Sequence, residues 1–131
     1  MVGCRSISKL WFIGLASCTA ISGEHTCTLI GCDSGLVVHL ATMPTAPFRV
    51  EVRISPGDQA AYVFDCTDLT RCSQDVFLNG LIADRATVTV IVGAASSTTT
   101  FNQIVYTTSQ PNGPDCEPTC KQGTVQVSIP T

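Results

Sequence analysis

Apolar and polar residues alternate along much of the chain after residue 32. The clearest case is the segment 48–55, in which Phe48, Val50, Val52 and Ile54 are each separated by one charged residue. Successive side chains of a β-strand point to opposite faces, so this pattern predicts a strand with one buried and one hydrated face. No segment keeps the 3.6-residue periodicity of an amphipathic helix over three turns.

Seven segments in total have the pattern or composition of strands, and turns rich in glycine and proline separate them. The predicted strands are 35–40, 48–55, 60–65, 75–78, 86–93, 98–107 and 124–129. This number of short strands in about 100 residues predicts an all-β fold, a single antiparallel β-sandwich, with a small barrel as the alternative. The strand aromatics are expected in the core. They are Phe48, Tyr62, Phe64, Phe77, Phe101 and Tyr106.

The N-terminal stretch has the organisation of an export signal. Two cations, Arg5 and Lys9, precede the apolar run 10–16, and small residues follow it. The run is far shorter than the ~20 residues that a membrane-spanning helix needs. Its end, Leu15-Ala16-Ser17-Cys18, resembles the lipobox of bacterial lipoproteins.

The lipobox resemblance implies that a diacylglycerol is attached to Cys18, that the chain is cleaved before this cysteine, and that the new amine is acylated, for example with palmitate. Thr19 follows the cysteine where some Gram-negative lipoproteins have an inner-membrane retention aspartate, which favours the outer membrane if the source is Gram-negative. The alternative is cleavage by an ordinary signal peptidase before Ile21, which gives a secreted or periplasmic protein.

This interpretation divides the chain into a signal peptide, 1–17, a tether, 18–31, and a sandwich domain, 32–131. The mature protein has 131 − 17 = 114 residues, and 7 − 2 = 5 cations face 10 carboxylates, a formal charge of −5. Such an acidic chain lacks the basic footprint that nucleic acid requires. The predicted membrane contact is therefore made by the acyl chains on Cys18 alone.

Cysteine number agrees with export. The eight cysteines are Cys4, Cys18, Cys27, Cys32, Cys66, Cys72, Cys116 and Cys120. Loss of the signal removes the first and lipidation uses the second, which leaves the even number that a disulfide-bonded exported domain needs. Cys66 and Cys72 border one loop and are predicted to pair.

The domain resembles immunoglobulin-like and transthyretin-like sandwiches in strand number and size, although the only tryptophan, Trp11, lies in the signal. In such sandwiches the first and last strands often run side by side in parallel. The resemblance therefore implies that the Cys27 and Cys32 pair bonds to the Cys116 and Cys120 pair, with the individual partners left open.

Two alternatives remain for these four cysteines. Local bridges would join Cys27 to Cys32 and Cys116 to Cys120. A zinc site is the second alternative, because the C-x4-C and C-x3-C spacings lie near those of known zinc ligands, but an oxidising compartment disfavours it.

No catalytic constellation is visible. His25 lies in the tether, and His39 lies on the polar face of the first strand, without a sequence partner for nucleophilic catalysis. The chain is therefore predicted to have no enzymatic activity and no cofactor. Asp65, Asp68 and Asp75 surround the 66–72 loop and are the candidates for Ca²⁺, although no twelve-residue calcium loop is present.

The leading functional hypothesis is thus a lipid-anchored, extracytoplasmic sandwich with a structural or protein-interaction role. The alternative is a secreted or anchored ligand-binding module that depends on calcium through the three aspartates.

Overall fold

The computed structural model describes residues 26–54 and 62–131. The predicted signal peptide, Cys18 and His25 lie outside the described residues. The described strands are β1 (Gly35–Leu40), β2 (Phe48–Arg53), β3 (Tyr62–Cys66), β4 (Asp75–Asn79), β5 (Ala86–Val92), β6 (Ala95–Phe101), β7 (Tyr106–Ser109) and β8 (Cys120–Val127). A single 3₁₀ turn, Leu69–Arg71, precedes β4. Within these ranges no helix has the length and apolarity needed to cross a bilayer.

The eight strands form two four-stranded sheets. Sheet A has the order β4-β1-β8-β7, and sheet B has the order β3-β2-β5-β6. All neighbouring strands are antiparallel except β1 and β8, which are parallel. The all-β sandwich is therefore confirmed. The barrel alternative is wrong, because each sheet keeps two edge strands and a closed barrel has none.

The core consists of the inward-facing residues of both sheets. In β2 the predicted alternation is confirmed, since Phe48, Val50 and Val52 are buried. Ile54 was predicted to face the core but is 44% exposed. The strand ends at Arg53, so Ile54 no longer lies opposite the other sheet. The remaining inward side chains come mainly from β1, β4, β5 and β8: Leu36, Val38, Leu40, Val76, Leu78, Ala86, Val88, Val90, Val125 and Val127.

The predicted sixth strand, 98–107, is in fact two strands in different sheets. β6 ends sheet B, the chain crosses over at residues 102–105, and β7 continues as the edge of sheet A. The predicted strands 86–93 and 98–107 leave residues 94–97 as a loop, but β6 already begins at Ala95, after a tight turn in which Gly93 has a φ of +61°. Serine and threonine on both faces of β6 give no hydrophobic contrast, so alternation could not mark this strand.

The last strand begins four residues earlier than predicted. β8 starts at Cys120 and includes Gly123, which is buried. The ring of Tyr106 lies against Gly123, at 3.0 Å from the place that a Cβ would occupy. A glycine inside a strand usually weakens it, but here it permits the close approach of an aromatic ring.

The strand directions gather the connections at two ends of the sandwich. Gly35 lies beside Asn79 and Gln122 at one end, and Phe48 lies between Cys66 and Val92 at the other. We call the first the tether end; it contains Ile54 and the segments 26–34, 80–85, 102–105 and 110–119. We call the second the distal end; it contains the segments 41–47, 67–74 and 93–94.

Candidate functional site

Three disulfides connect the six cysteines of the described residues. Their pairs are Cys27–Cys116, Cys32–Cys120 and Cys66–Cys72. The crossed arrangement is therefore present, and the local alternative is not. No thiolate remains among these six for zinc, so the zinc alternative is wrong.

The parallel pairing of β1 and β8 explains why the crossed bridges form. Gly35 lies beside Gln122, so the segments that enter the two strands approach from the same end. The bridges Cys27–Cys116 and Cys32–Cys120 span 89 and 88 residues of sequence and both lie at the tether end. They attach the beginning of the domain to its C-terminal third at two points.

Asn112 holds the segment between these two bridges. Its side-chain oxygen accepts hydrogen bonds from the Thr28 hydroxyl at 2.6 Å and from the Ile30 N–H at 2.8 Å. Its amide nitrogen donates to the carbonyls of Ile30 at 2.8 Å and Glu117 at 2.7 Å. Asn112 is 7% exposed, so all four of these bonds form in a largely dry environment.

Hydrogen bonds of Asp33 and Ser34 extend this attachment to the neighbouring connections. The Ser34 carbonyl accepts a hydrogen bond from the Gly80 N–H at 2.8 Å, and the Ser34 hydroxyl accepts one from the Lys121 N–H at 3.0 Å. The Gln122 side chain donates to the Asp33 carbonyl at 2.9 Å. The residues immediately before β1 are therefore joined to both neighbours of that strand.

The β4–β5 connection is fixed to the sheet crossover. The Tyr106 hydroxyl donates to the Ala83 carbonyl at 2.9 Å and accepts from the Ala83 N–H at 3.0 Å. The Ile104 N–H donates to the Asp84 carbonyl at 2.8 Å. Two segments that follow different sheets are thereby held together at the tether end.

Exposed apolar side chains are concentrated at the tether end. Seven large hydrophobic residues are exposed in the described part of the chain, and five of them lie there. The five are Leu29 at 100%, Ile30 at 55%, Ile54 at 44%, Ile82 at 50% and Val105 at 75%. The other two, Val63 and Phe77, lie on the outer faces of the sheets, so no distal connection has one.

The structure does not bring the three calcium candidates together. Asp65 forms a two-point ion pair with Arg49, with the Nε–Oδ1 distance 2.6 Å and the Nη2–Oδ2 distance 3.2 Å. This contact raises the pKa of the Arg49 guanidinium. Asp65 and Asp75 lie on the outer faces of different sheets, and no group of three potential ligands that could hold a metal occurs in residues 26–54 and 62–131.

Asp68, the third candidate, has a local structural role. Its carboxylate accepts hydrogen bonds from the Thr70 hydroxyl at 2.6 Å and from the Thr70 N–H at 3.0 Å, and so begins the 3₁₀ turn inside the Cys66–Cys72 loop. These two bonds stabilise the ionised form and lower the pKa of the Asp68 carboxyl.

His39 lies on the outer face of sheet A, as the alternation predicted. Its Nδ1 is bonded to the Asp75 carboxylate on the adjacent strand, a contact that sequence reasoning did not anticipate. The pair is exposed, with 37% of the His39 side chain and 59% of the Asp75 side chain accessible. The contact joins the outer faces of the neighbouring strands β1 and β4.

Phe77 was expected in the core but lies on the outer face of sheet A and is 39% exposed. Its ring covers Gly35 on the adjacent strand, where an added Cβ would meet the ring at 3.0 Å and the Leu78 carbonyl oxygen at 2.3 Å. The Asp-Val-Phe-Leu alternation of β4 puts Phe77 on the side opposite Val76 and Leu78, so strict application of period two would have found this position.

Asn112 is the residue of the tether end that sequence reasoning missed. It lies in Pro111-Asn112-Gly113-Pro114, a pattern typical of an exposed turn. Three of its four hydrogen bonds go to Thr28 and Ile30, 84 and 82 residues away in sequence, and no local pattern encodes such contacts.

Comparisons with known proteins add no assignment: no family model matches the chain, and neither the curated proteins nor the solved structures contain a significant match. The strand order of the two sheets establishes the sandwich. The resemblance to immunoglobulin-like and transthyretin-like domains stays a prediction.

Proposed function

We propose that this protein is a bacterial lipoprotein: an extracytoplasmic β-sandwich that is anchored to a membrane through Cys18 and has a structural or protein-interaction role without catalysis. The observation that carries the extracytoplasmic location is the complete pairing of the six later cysteines, and the lipobox resemblance supports the anchor. Three disulfides indicate an oxidising, extracytoplasmic location. Of the eight cysteines in the sequence, only Cys4 and Cys18 lie outside these pairs, and Cys18 occupies the lipobox position.

The position of the first bridge supports an anchor close to the domain. Cys27 follows Cys18 by 27 − 18 = 9 residues, which span at most about 30 Å when fully extended. Because Cys27 is bonded to Cys116, tension on the tether acts on the C-terminal part of the domain as well as on its first strand. The tether end would then face the bilayer, and the distal end would face away from it.

This orientation leaves the distal end and the outer faces of both sheets available for a partner. Thr19 favours the outer membrane as the destination in a Gram-negative cell, by resemblance to lipoprotein sorting. A calcium-dependent ligand site has no comparable support, because Asp65, Asp68 and Asp75 each bond to a different group.

Substitution of Cys18 tests the proposal. We expect Cys18→Ser to lose incorporation of a labelled fatty acid and to lose membrane association in a lipoprotein-processing bacterial host. Cys4→Ser is the matched control, because it removes a thiol from the signal without touching the lipobox, and it should behave like the wild type. Equal labelling and fractionation of the wild type and Cys18→Ser would overturn the proposal.

A further inference from the structure

The segment between the two long-range bridges displays two apolar side chains on a fixed backbone. Leu29 is fully exposed and Ile30 is 55% exposed. Cys27 and Cys32 are bonded to the domain on either side of them, and Asn112 binds both the N–H and the carbonyl of Ile30. These disulfides and hydrogen bonds therefore hold Leu29 and Ile30 where their side chains are exposed to solvent.

Further exposed apolar residues lie at the same end of the fold. Ile82 and Val105 flank the contacts that join Ala83 to Tyr106 and Asp84 to Ile104. Ser34, which follows the Leu29 segment, accepts the Gly80 N–H from the same connection as Ile82. Most of the exposed large hydrophobics of the described chain thus share one end, whereas scattered single residues would need no explanation.

The charge at this end is acidic. In the segments that define it, the cation is Arg85 and the carboxylates are Asp33, Asp84, Asp115 and Glu117, a formal sum of 1 − 4 = −3. Anionic headgroups repel such a surface, whereas zwitterionic headgroups carry no net charge, so with zwitterionic lipid the apolar residues decide the interaction.

We propose that the tether end is a membrane-contact surface, in which Leu29 and Ile30 insert into the headgroup region of the bilayer that holds the acyl chains of Cys18. The inference rests on the proposed lipid anchor, since the nine residues from Cys18 to Cys27 hold this end within about 30 Å of the bilayer. The occupant of the surface is zwitterionic lipid. Insertion fixes the direction of the domain axis, with the distal end pointing away from the membrane.

Tryptophan fluorescence gives a direct test, because the only tryptophan of the chain, Trp11, is removed with the signal. The full chain carrying Leu29→Trp is expressed, processed and reconstituted into phosphatidylcholine and phosphatidylethanolamine vesicles. We expect its emission to shift to shorter wavelength and to be quenched more by lipids brominated near the headgroup than by lipids brominated near the chain ends, since interfacial residues reach about 5–10 Å into the boundary. Leu29 makes no buried contact, so the fold tolerates the change.

Val63→Trp is the matched control. Val63 is 49% exposed but lies on the outer face of sheet B, opposite Glu51 and outside the segments that form the tether end, so its replacement should be quenched less than Leu29→Trp. Equal quenching of the two variants, or quenching of neither, contradicts the proposal. A dimer that buries the Leu29 segment, detected by sedimentation and abolished by Leu29→Asp, would also overturn it in favour of a second copy as occupant.

The mass of the N-terminal peptide is measured on the same sample. An acylated protein that floats with the vesicles but is not quenched overturns the membrane-contact surface and leaves the lipid anchor intact. An N-terminal peptide without acyl chains overturns the anchor, and the surface with it.

Discussion

The two ends of the sandwich are built differently. At the tether end, two disulfides and the buried Asn112 join segments that are more than 80 residues apart in sequence. At the distal end the disulfide is local: Cys66–Cys72 closes a six-residue separation, and Asp68 bonds to Thr70 two residues away. The longer-range contacts of that end include hydrogen bonds, from the Gln74 side chain to the Leu40 carbonyl and from the Ala41 N–H to the Val127 carbonyl. Exposed large hydrophobics occur at the first end and not in the connections of the second, within the described residues.

The difference lies in how far apart in sequence the disulfide-bonded residues are. Long-range covalent links hold distant parts of the chain together, whereas the Cys66–Cys72 bridge shapes one loop. The same contrast predicts that stability is concentrated at the tether end, and substitutions at both ends test this prediction.

Removal of both long-range bridges should have the largest effect. In the chain-entropy treatment the first bridge closes a loop of about 89 residues and contributes about 4.6 kcal/mol. Once it is present, the second closes a ring of only (32 − 27) + (120 − 116) = 9 residues and adds about 2.6 kcal/mol. The four-alanine variant of Cys27, Cys116, Cys32 and Cys120 should therefore lose about 7 kcal/mol of unfolding free energy.

Loss of one long-range disulfide should cost less than half as much as loss of both, because the other bridge still closes the long loop. Replacement of only Cys32 and Cys120 by alanine should cost about 2–3 kcal/mol, close to the ~2 kcal/mol expected for Cys66 and Cys72. Urea unfolding followed by circular dichroism measures all three variants. If replacement of Cys32 and Cys120 alone costs half as much as the four-alanine variant or more, the two bridges do not share one loop as we describe.

Replacement of Asn112 by alanine should be the next most damaging change. It leaves the N–H and carbonyl of Ile30 and the carbonyl of Glu117 without their side-chain partner, at a cost of about 2–4 kcal/mol. Asn79→Ala, at an exposed position at the end of β4, is the matched control and should change stability little. Equal losses for the two variants would show that Asn112 does not hold the segment between the bridges.

Gly35→Ala tests the close contact that Phe77 makes with sheet A. The new methyl would lie 2.3 Å from the Leu78 carbonyl oxygen, so the backbone of β1 or β4 must move, at a cost of about 1–3 kcal/mol. Gly31→Ala places a methyl in open space in the same region and serves as the control. Thermal unfolding of the two variants should show a lower melting temperature only for Gly35→Ala.

Asp68→Asn should have the smallest effect, and a pH-dependent one. The pKa of the Asp68 carboxyl is lowered in the fold by Thr70, so its contribution to stability is complete above the pKa of the unfolded chain and is lost as the pH falls through the folded pKa. The stability difference between wild type and variant should therefore shrink on acidification. A difference that grows at low pH would contradict this assignment.

The sequence predicted the strands whose faces differ in polarity and missed the features that depend on distant contacts. Alternation located β2, and the parallel neighbours β1 and β8 agree with the expectation that led to the crossed disulfides. The switch of the chain between sheets at residues 102–105 could not be predicted. Threonine and serine occupy both faces of β6 and also begin β7, so residues 98–107 resemble one long strand.

The tether end shows the same limit of sequence reasoning. The disulfide bonding of its cysteines could be predicted because an exported domain pairs its cysteines in even numbers. The approximate location of the bridges follows from the order of the strands. The role of Asn112 could not be predicted, because its turn sequence is typical of a hydrated loop and its partners enter from the opposite end of the chain. The aspartates were grouped by their closeness in sequence, yet the fold gives each a different partner.

Mass spectrometry of the mature N-terminal peptide is the sharpest test of the lipid anchor. We expect a peptide that begins at Cys18 and carries a diacylglycerol and an amide-linked acyl chain, with the six later cysteines oxidised. A peptide that begins at Ile21, or an intact chain that retains Met1 and reduced thiols, would contradict the anchor.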